Sequence, residues 1–294
     1  MSIMVRSWNK WELLWWPIRL GRRISAWLVR LGERCREWPD PLPLVYDDFC
    51  LALLRSNEQT HNSRRNQRCF ILGGGPSLKD QNLSLLHKEA TIAVNGFFRH
   101  PHAAKIQSEY YCLSGDLFFD GSDYSNDFLR DLLAVVRRAE FFVPLVNAHE
   151  VKQQHVLPWD KLHFLPYNGS CLFHPLRDVS LQQSVPQNVN ILQMAIIVAM
   201  HLGCNPIYIL GADHDWLATR NQYNHFVEEK ERRSNFRYFE DWSYHEKVKA
   251  TLQIWEGYLA IQKFATERGF RIVNLTPDSY LDIFECGVLE RIVH

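Results

Sequence analysis

The chain has 294 residues, 46% hydrophobic and 22% charged, which suits one sizeable α/β domain with an appendage. Its formal charge is zero, so the overall balance gives a nucleic-acid partner no support and none is expected. Seven scattered cysteines (35, 50, 69, 112, 171, 204, 286) form no C-x-x-C and no zinc spacing, which argues against a disulfide framework and for a reducing, cytoplasmic setting.

Residues 1–38 carry eight Arg/Lys against three Glu, a net of +5, which leaves −5 for the remainder. They also hold six of the ten tryptophans (8, 11, 15, 16, 27, 38). Trp8, Trp11, Trp15 and Ile18 recur at helical spacing, as do Leu20, Ile24, Trp27, Leu28 and Leu31, with Pro17 kinking the helix between the two sets. An amphipathic helix of this composition suits an anionic membrane surface, with indoles at headgroup level and cations on the lipid. Packing on the catalytic domain and binding a partner protein are the competing readings. Arg and Lys interrupt every apolar run and no small-residue cleavage site follows, so no signal peptide is expected. No apolar stretch approaches the ~20 residues of a membrane span. The expected location is cytoplasmic, peripheral on the inner face of the membrane.

Trp38-Pro-Asp-Pro-Leu-Pro43 punctuates the chain and ends this appendage, so 1–43 is one segment. Residues 44–67 read as a short helix, Asp47 to Arg55, and a polar surface linker, Ser56 to Gln67. The remainder, 68–294, alternates. Strands are predicted at Cys69–Leu72, Thr91–Val94, Tyr110–Leu113, Glu140–Pro144, Leu162–Leu165, Pro206–Leu210 and Phe270–Asn274. Helices are predicted near Leu83–Lys88, Asn126–Arg138, Val189–Leu202 and Ser243–Arg268. The third of these is apolar nearly all round and should be buried. This alternation predicts an α/β fold: a Rossmann-like parallel sheet with helices on both faces, plus the N-terminal amphipathic helical appendage.

Two strand ends attract chemistry. The first runs from Cys69 to Leu72 into Gly73-Gly74-Gly75-Pro76-Ser77, a turn that lets a ligand approach backbone N–H groups. It is neither a Walker loop nor G-x-G-x-x-G, and a glycine-rich turn with no ligand is the plain alternative. The second runs from Ile207 into Gly211-Ala212-Asp213-His214-Asp215, where an open α/β sheet places its ligand crevice. Asp213 and Asp215 form an Asp-x-Asp able to hold magnesium or manganese on a nucleotide diphosphate, or else one caps a turn and the other is solvated. Tyr223 and His225 follow in the same loop region and could support a leaving phosphate. His214, His225 and His245 are the loop histidines available as a general base.

Gly-Gly-Gly-Pro-Ser-Leu-Lys (73–79), followed by a short strand ending in Asn95, resembles the nucleotide-binding start of the bacterial sialyltransferases that use CMP-sialic acid. The same start occurs in the related flagellin-modifying glycosyltransferases and in a hydroxymethylpterin diphosphokinase-like family. The resemblance runs with gaps from Arg68 to Phe284. It implies nucleotide contacts by Gly73, Gly74, Gly75, Pro76, Ser77 and Asn95, by Asp116 in the loop after the third strand, and by Asp213 in the Gly-x-Asp block. It implies a phosphate-supporting role for Tyr223 and a catalytic base at His245. Thr276-Pro-Asp-Ser-Tyr280 is similar to the closing segment. Asp215 stands where those sialyltransferases have a second phosphate-binding tyrosine, and Asn190-Ile-Leu192 where they have Thr-Ser-Gly.

The expected function is glycosyl transfer from a nucleotide sugar, CMP-linked and sialic-acid-like, to a glycan or lipid-linked acceptor in bacterial surface-glycan synthesis, with no metal required. The alternatives are an ATP- and magnesium-dependent diphosphokinase with Asp213 and Asp215 as ligands, and a non-catalytic membrane-associated assembly protein.

Overall fold

The computed structural model describes residues 46–115, 118–170, 176–183, 185–187, 190–218 and 242–293, together with Ser25. The tryptophan-rich appendage, apart from Ser25, lies outside the described residues, as do Asp116, Tyr223 and His225.

Short runs of β-branched, aromatic and aliphatic residues form β1 (Cys69–Leu72), β2 (Thr91–Val94), β3 (Tyr110–Cys112), β4 (Glu140–Pro144) and β5 (Leu162–Leu165). A separate two-stranded ribbon of β6 (Tyr167–Ser170) and β7 (Val185–Gln187) follows. Then come β8 (Ile207–Leu210), β9 (Ile272–Asn274) and a two-residue β10 (Glu285–Cys286). The main sheet has the order β10-β9-β8-β1-β2-β3-β4-β5, with every neighbouring pair parallel. The chain steps outward from β1 to β5, returns across the sheet, and lays β8 on the other side of β1. The strand order therefore reverses between β1 and β8.

Seven helices flank the sheet among the described residues: α1 (Asp48–Ser56), α2 (Ala103–Ile106), α3 (Asp123–Val135), α4 (Ala148–Gln154), α5 (Ile191–His201), α6 (Tyr244–Arg268) and α7 (Leu289–Ile292). Strand side chains alternate between two cores. Phe70, Leu72, Tyr111, Phe141 and Leu210 pack with Leu54 of α1, Leu129 of α3 and Val151 of α4 on one face. Ile71, Ile92, Cys112, Phe142 and Ile209 pack with α5 and with Tyr258 and Ile261 of α6 on the other. Both faces are covered, which is why the central strands are buried throughout.

Local chemistry sets the helix ends. Asp47 caps α1 by accepting from the Cys50 N–H. Ser122 caps α3, which therefore begins one turn before the expected Asn126. Ser243 and Glu246 form a capping box on α6, and Gly269 closes that helix at φ +76°. The Leu83–Lys88 helix proves to be a single 3₁₀ turn, Leu83–Leu86.

The stretch after α1, expected as a surface linker, is tied to the domain. Asn57 is fully buried and its amide donates to the carbonyls of Phe164 and Leu181, at 2.8 Å each. The N–H groups of Asn62, Arg64 and Asn66 donate to His201, Leu202 and Gly203 at the end of α5. A polar sequence looks solvated, but here its donors cap the carbonyls that a helix end leaves open.

Candidate active site at the switch point

The C-terminal ends of β1 and β8 lie side by side, in register from Cys69–Ile207 to Leu72–Leu210. An open parallel sheet forms its ligand crevice outside this point of reversal. Each strand runs directly into a glycine turn, and the two turns pack on each other with no room for side chains. A Cβ on Gly73 would lie 2.5 Å from the Gly211 carbonyl oxygen, and one on Gly75 would lie 1.7 Å from an Asp213 carboxylate oxygen. Gly211 sits at φ +69°, with Leu78 filling the space a side chain would need.

These contacts change the reading of the first turn. Its N–H groups do not stand free for an anion: Gly73 donates to Leu210, Gly75 donates to Gly211, and Ser77 donates to Asp213 at 3.0 Å. The Ser77 hydroxyl donates to the other Asp213 carboxylate oxygen at 2.8 Å. Glycine is required here because two backbones meet, a reason the sequence does not distinguish from ligand approach.

Asp213 is thus the bolt between the turns. Burial pushes its carboxyl above the usual carboxylate range and the neighbouring Asp215 adds to this, against the downward pull of Ser77. Asp215 keeps one buried carboxylate oxygen without a hydrogen-bond partner among the described residues. No lysine or arginine pairs with either carboxylate among the described residues. The segment after β9 braces this turn. Thr276 accepts from the Ala212 N–H at 3.0 Å, Ser279 donates to the Ala212 carbonyl, and the Tyr280 N–H donates to the Asp213 carbonyl at 2.9 Å. Only the likeness of Thr276–Tyr280 to a closing segment pointed to these residues in the sequence.

His214 is placed away from solvent. It adopts φ +57°, is hydrogen-bonded to the buried Tyr258 hydroxyl at 2.9 Å, and stacks on Trp216 with ring centroids 4.4 Å apart. Burial pulls its imidazole down to about 3, so it is neutral at physiological pH. It anchors the acidic turn to α6. Trp255 of α6 completes this half-buried aromatic corner, its ring edge-on to Trp216.

Asn95, at the end of β2 with φ +37°, spends its side chain on Ser114, accepting from the Ser114 N–H at 3.1 Å and donating to its carbonyl at 3.3 Å. It staples the ends of β2 and β3 together. His245 is exposed in the first turn of α6, ten residues before Trp255 and so about 15 Å away along the helix axis. The structure brings Gly73, Gly75, Ser77, Asp213 and Asp215 together; it does not bring His245 to them.

Among known proteins, the sequence model of the 6-hydroxymethylpterin diphosphokinase MptE-like family matches residues 51–219, more than half of the chain. No curated protein matches. The solved structure of the sialyltransferase CstII from Campylobacter jejuni, in complex with the substrate analogue CMP-3FNeuAc, is similar with a TM-score of 0.45 and 17% identity. That likeness covers 75% of this chain and 86% of the other.

Proposed function

The chain belongs to the 6-hydroxymethylpterin diphosphokinase MptE-like family, and from that premise we propose a nucleotide-dependent transferase whose donor lies in the crevice between β1 and β8. The group moved is a sugar, carried on a nucleotide for which the 73–79 motif favours CMP, and the acceptor is a glycan or lipid-linked hydroxyl compound. The observation that carries the reading is the glycine-on-carboxylate packing of two strand-end turns at the point where the strand order reverses.

With the first turn's N–H groups at 73, 75 and 77 engaged, donor phosphate needs positive charge from elsewhere. A divalent cation fits the residues present: Asp213 and Asp215 would hold it, and the unpartnered Asp215 oxygen is a ready hard ligand. Bound there, such an ion supplies charge neutralisation on the phosphate. This reading adopts magnesium or manganese in place of the metal-free expectation. Ser77 fixes the orientation of Asp213, and the buried Tyr258–His214 pair holds the turn that carries both carboxylates. The acceptor hydroxyl must give up its proton at the crevice, and His245, exposed in the first turn of α6, stands too far along that helix to take it there.

Diphosphoryl transfer from ATP is the second reading, favoured by the family's name and by the same acidic pair. A thermal-shift panel of CMP, CDP, UDP, GDP and ATP, each with and without magnesium, separates the two, because only a ligand of the native state raises Tm. Stabilisation by a pyrimidine nucleotide supports glycosyl transfer, and stabilisation by ATP with magnesium alone selects the diphosphokinase. No shift with any nucleotide, or shifts unchanged in Asp215→Asn, would remove the crevice assignment.

A further inference from the structure

A second constellation lies well away from the crevice, where α1 meets α4, on the far side of the sheet from β8. Asp47, Cys50 and His149 bring a carboxylate oxygen, a thiol sulfur and an imidazole nitrogen within 4.8 Å of one another. Ligands at about 2.0–2.3 Å from a tetrahedral ion lie roughly 3.3–3.8 Å apart, so modest side-chain rotation closes this trio on one centre. The arrangement is held by structure that exists for other reasons. Asp47 is the N-cap of α1, with Oδ1 accepting from the Cys50 N–H at 2.7 Å, which fixes the two residues on one face of the first turn. Its Oδ2 lies 3.3 Å from His149 Nε2. The His149 ring rests against Phe49 at 5.0 Å, and Phe49 stacks on Trp159 at 6.0 Å, so the imidazole has an aromatic support. Cys50 is buried, while Asp47 and His149 are about half exposed (56% and 57%), which gives an ion a way in.

We propose that Asp47, Cys50 and His149 form a binding site for a divalent transition metal of the zinc class, with a fourth position open to water. The sulfur and imidazole ligands select zinc, cobalt or copper over magnesium and calcium. On binding, the Cys50 thiol gives its proton to solvent as the sulfur–metal bond forms, and no electron is exchanged. The ion clips the first turn of α1 to α4, and so fixes the point at which the N-terminal appendage joins the domain. Cysteine spacing could not reveal this site, because its one thiol is joined by a cap residue three positions earlier and a histidine from another helix.

The test uses the full-length protein stripped of metal by chelator and titrated with cobalt(II) chloride alone. The expected result is a thiolate-to-cobalt charge-transfer band in the near ultraviolet with tetrahedral bands in the visible, all displaced by zinc chloride. Cys50→Ser should abolish the charge-transfer band. Asp47→Asn and His149→Gln should each weaken cobalt binding by about tenfold or more. Asparagine is as good an N-cap as aspartate, so unchanged far-UV circular dichroism in Asp47→Asn separates loss of a ligand from loss of the helix. Absence of the band in the unaltered protein, its survival in Cys50→Ser, or unaltered affinity in Asp47→Asn and His149→Gln would each overturn the assignment.

Discussion

Replacing Gly75 with alanine is the sharpest probe of why the first turn is made of glycine. The backbone at Gly75 is extended, φ −68° and ψ 149°, so alanine suffers no conformational strain there. What it meets is steric: its Cβ would stand 1.7 Å from an Asp213 carboxylate oxygen and 2.7 Å from the Gly211 carbonyl oxygen. The carboxylate must swing away, losing both hydrogen bonds from Ser77. Bonds to a charged acceptor are worth about 1.5–3 kcal/mol each, and the gain from a less flexible unfolded chain returns about 0.4–1 kcal/mol. The expected cost is therefore about 2–5 kcal/mol, read as a lower urea midpoint with an unchanged slope. Gly96→Ala, where a Cβ would meet nothing within 4 Å, serves as the control and should change stability by less than about 1 kcal/mol. In an Asp213→Ala background the part of the Gly75→Ala penalty that comes from the carboxylate should vanish, while the part from the Gly211 carbonyl oxygen remains. If Gly75→Ala is as stable as the unaltered protein yet loses nucleotide binding, the glycine serves ligand approach and the packing argument fails.

Three further outcomes are expected. His201 is buried, hydrogen-bonded to Thr60 and the Val179 carbonyl, and burial pulls its imidazole down to about 4. Its unfolded value is about 6.5, so the unfolded chain takes up more protons between the two; stability should fall as pH drops through that window, by up to about 1.4 kcal/mol per pH unit. His201→Gln should flatten that slope in urea titrations between pH 7 and 4, and an unchanged slope would mean the histidine is not held neutral. His245→Ala should leave both kcat and Tm nearly unchanged, because the side chain is exposed and lies about 15 Å along α6 from Trp255; a loss of roughly 10²-fold in a steady-state assay would return it to the role of base. Deleting residues 1–38 removes +5 of charge and six tryptophans, so co-sedimentation with anionic liposomes should drop, most steeply at low salt; equal binding by both forms would exclude the membrane reading.

The amino-acid sequence determined the parallel α/β sheet almost by itself, because buried strands announce themselves as short apolar runs between turn residues. All seven expected strands form, with ends within two positions of those expected. Helix periodicity and cap chemistry likewise placed α1, α5 and α6. The ribbon of β6 and β7, the short α4 and the two-residue β10 were not legible, since segments this brief take their conformation from the contacts around them.

At the candidate site, composition marked Gly73–Ser77 and Asp213–Asp215 as strand-end turns, but only the tertiary structure decided what they do to each other. That β8 returns beside β1 is a pairing between residues more than a hundred positions apart, which no local pattern encodes. This pairing assigns the glycines to backbone contact, gives the Ser77 donors to Asp213, buries His214 against Tyr258, and leaves His245 in solvent at the far end of α6. The linker reading failed for the same reason: Asn57 looks solvated until Phe164 and Leu181 offer it carbonyls, and the Asn62 N–H looks free until the end of α5 does the same. Hydrophobic pattern is a property of the chain, whereas the partner of a polar group is a property of the fold.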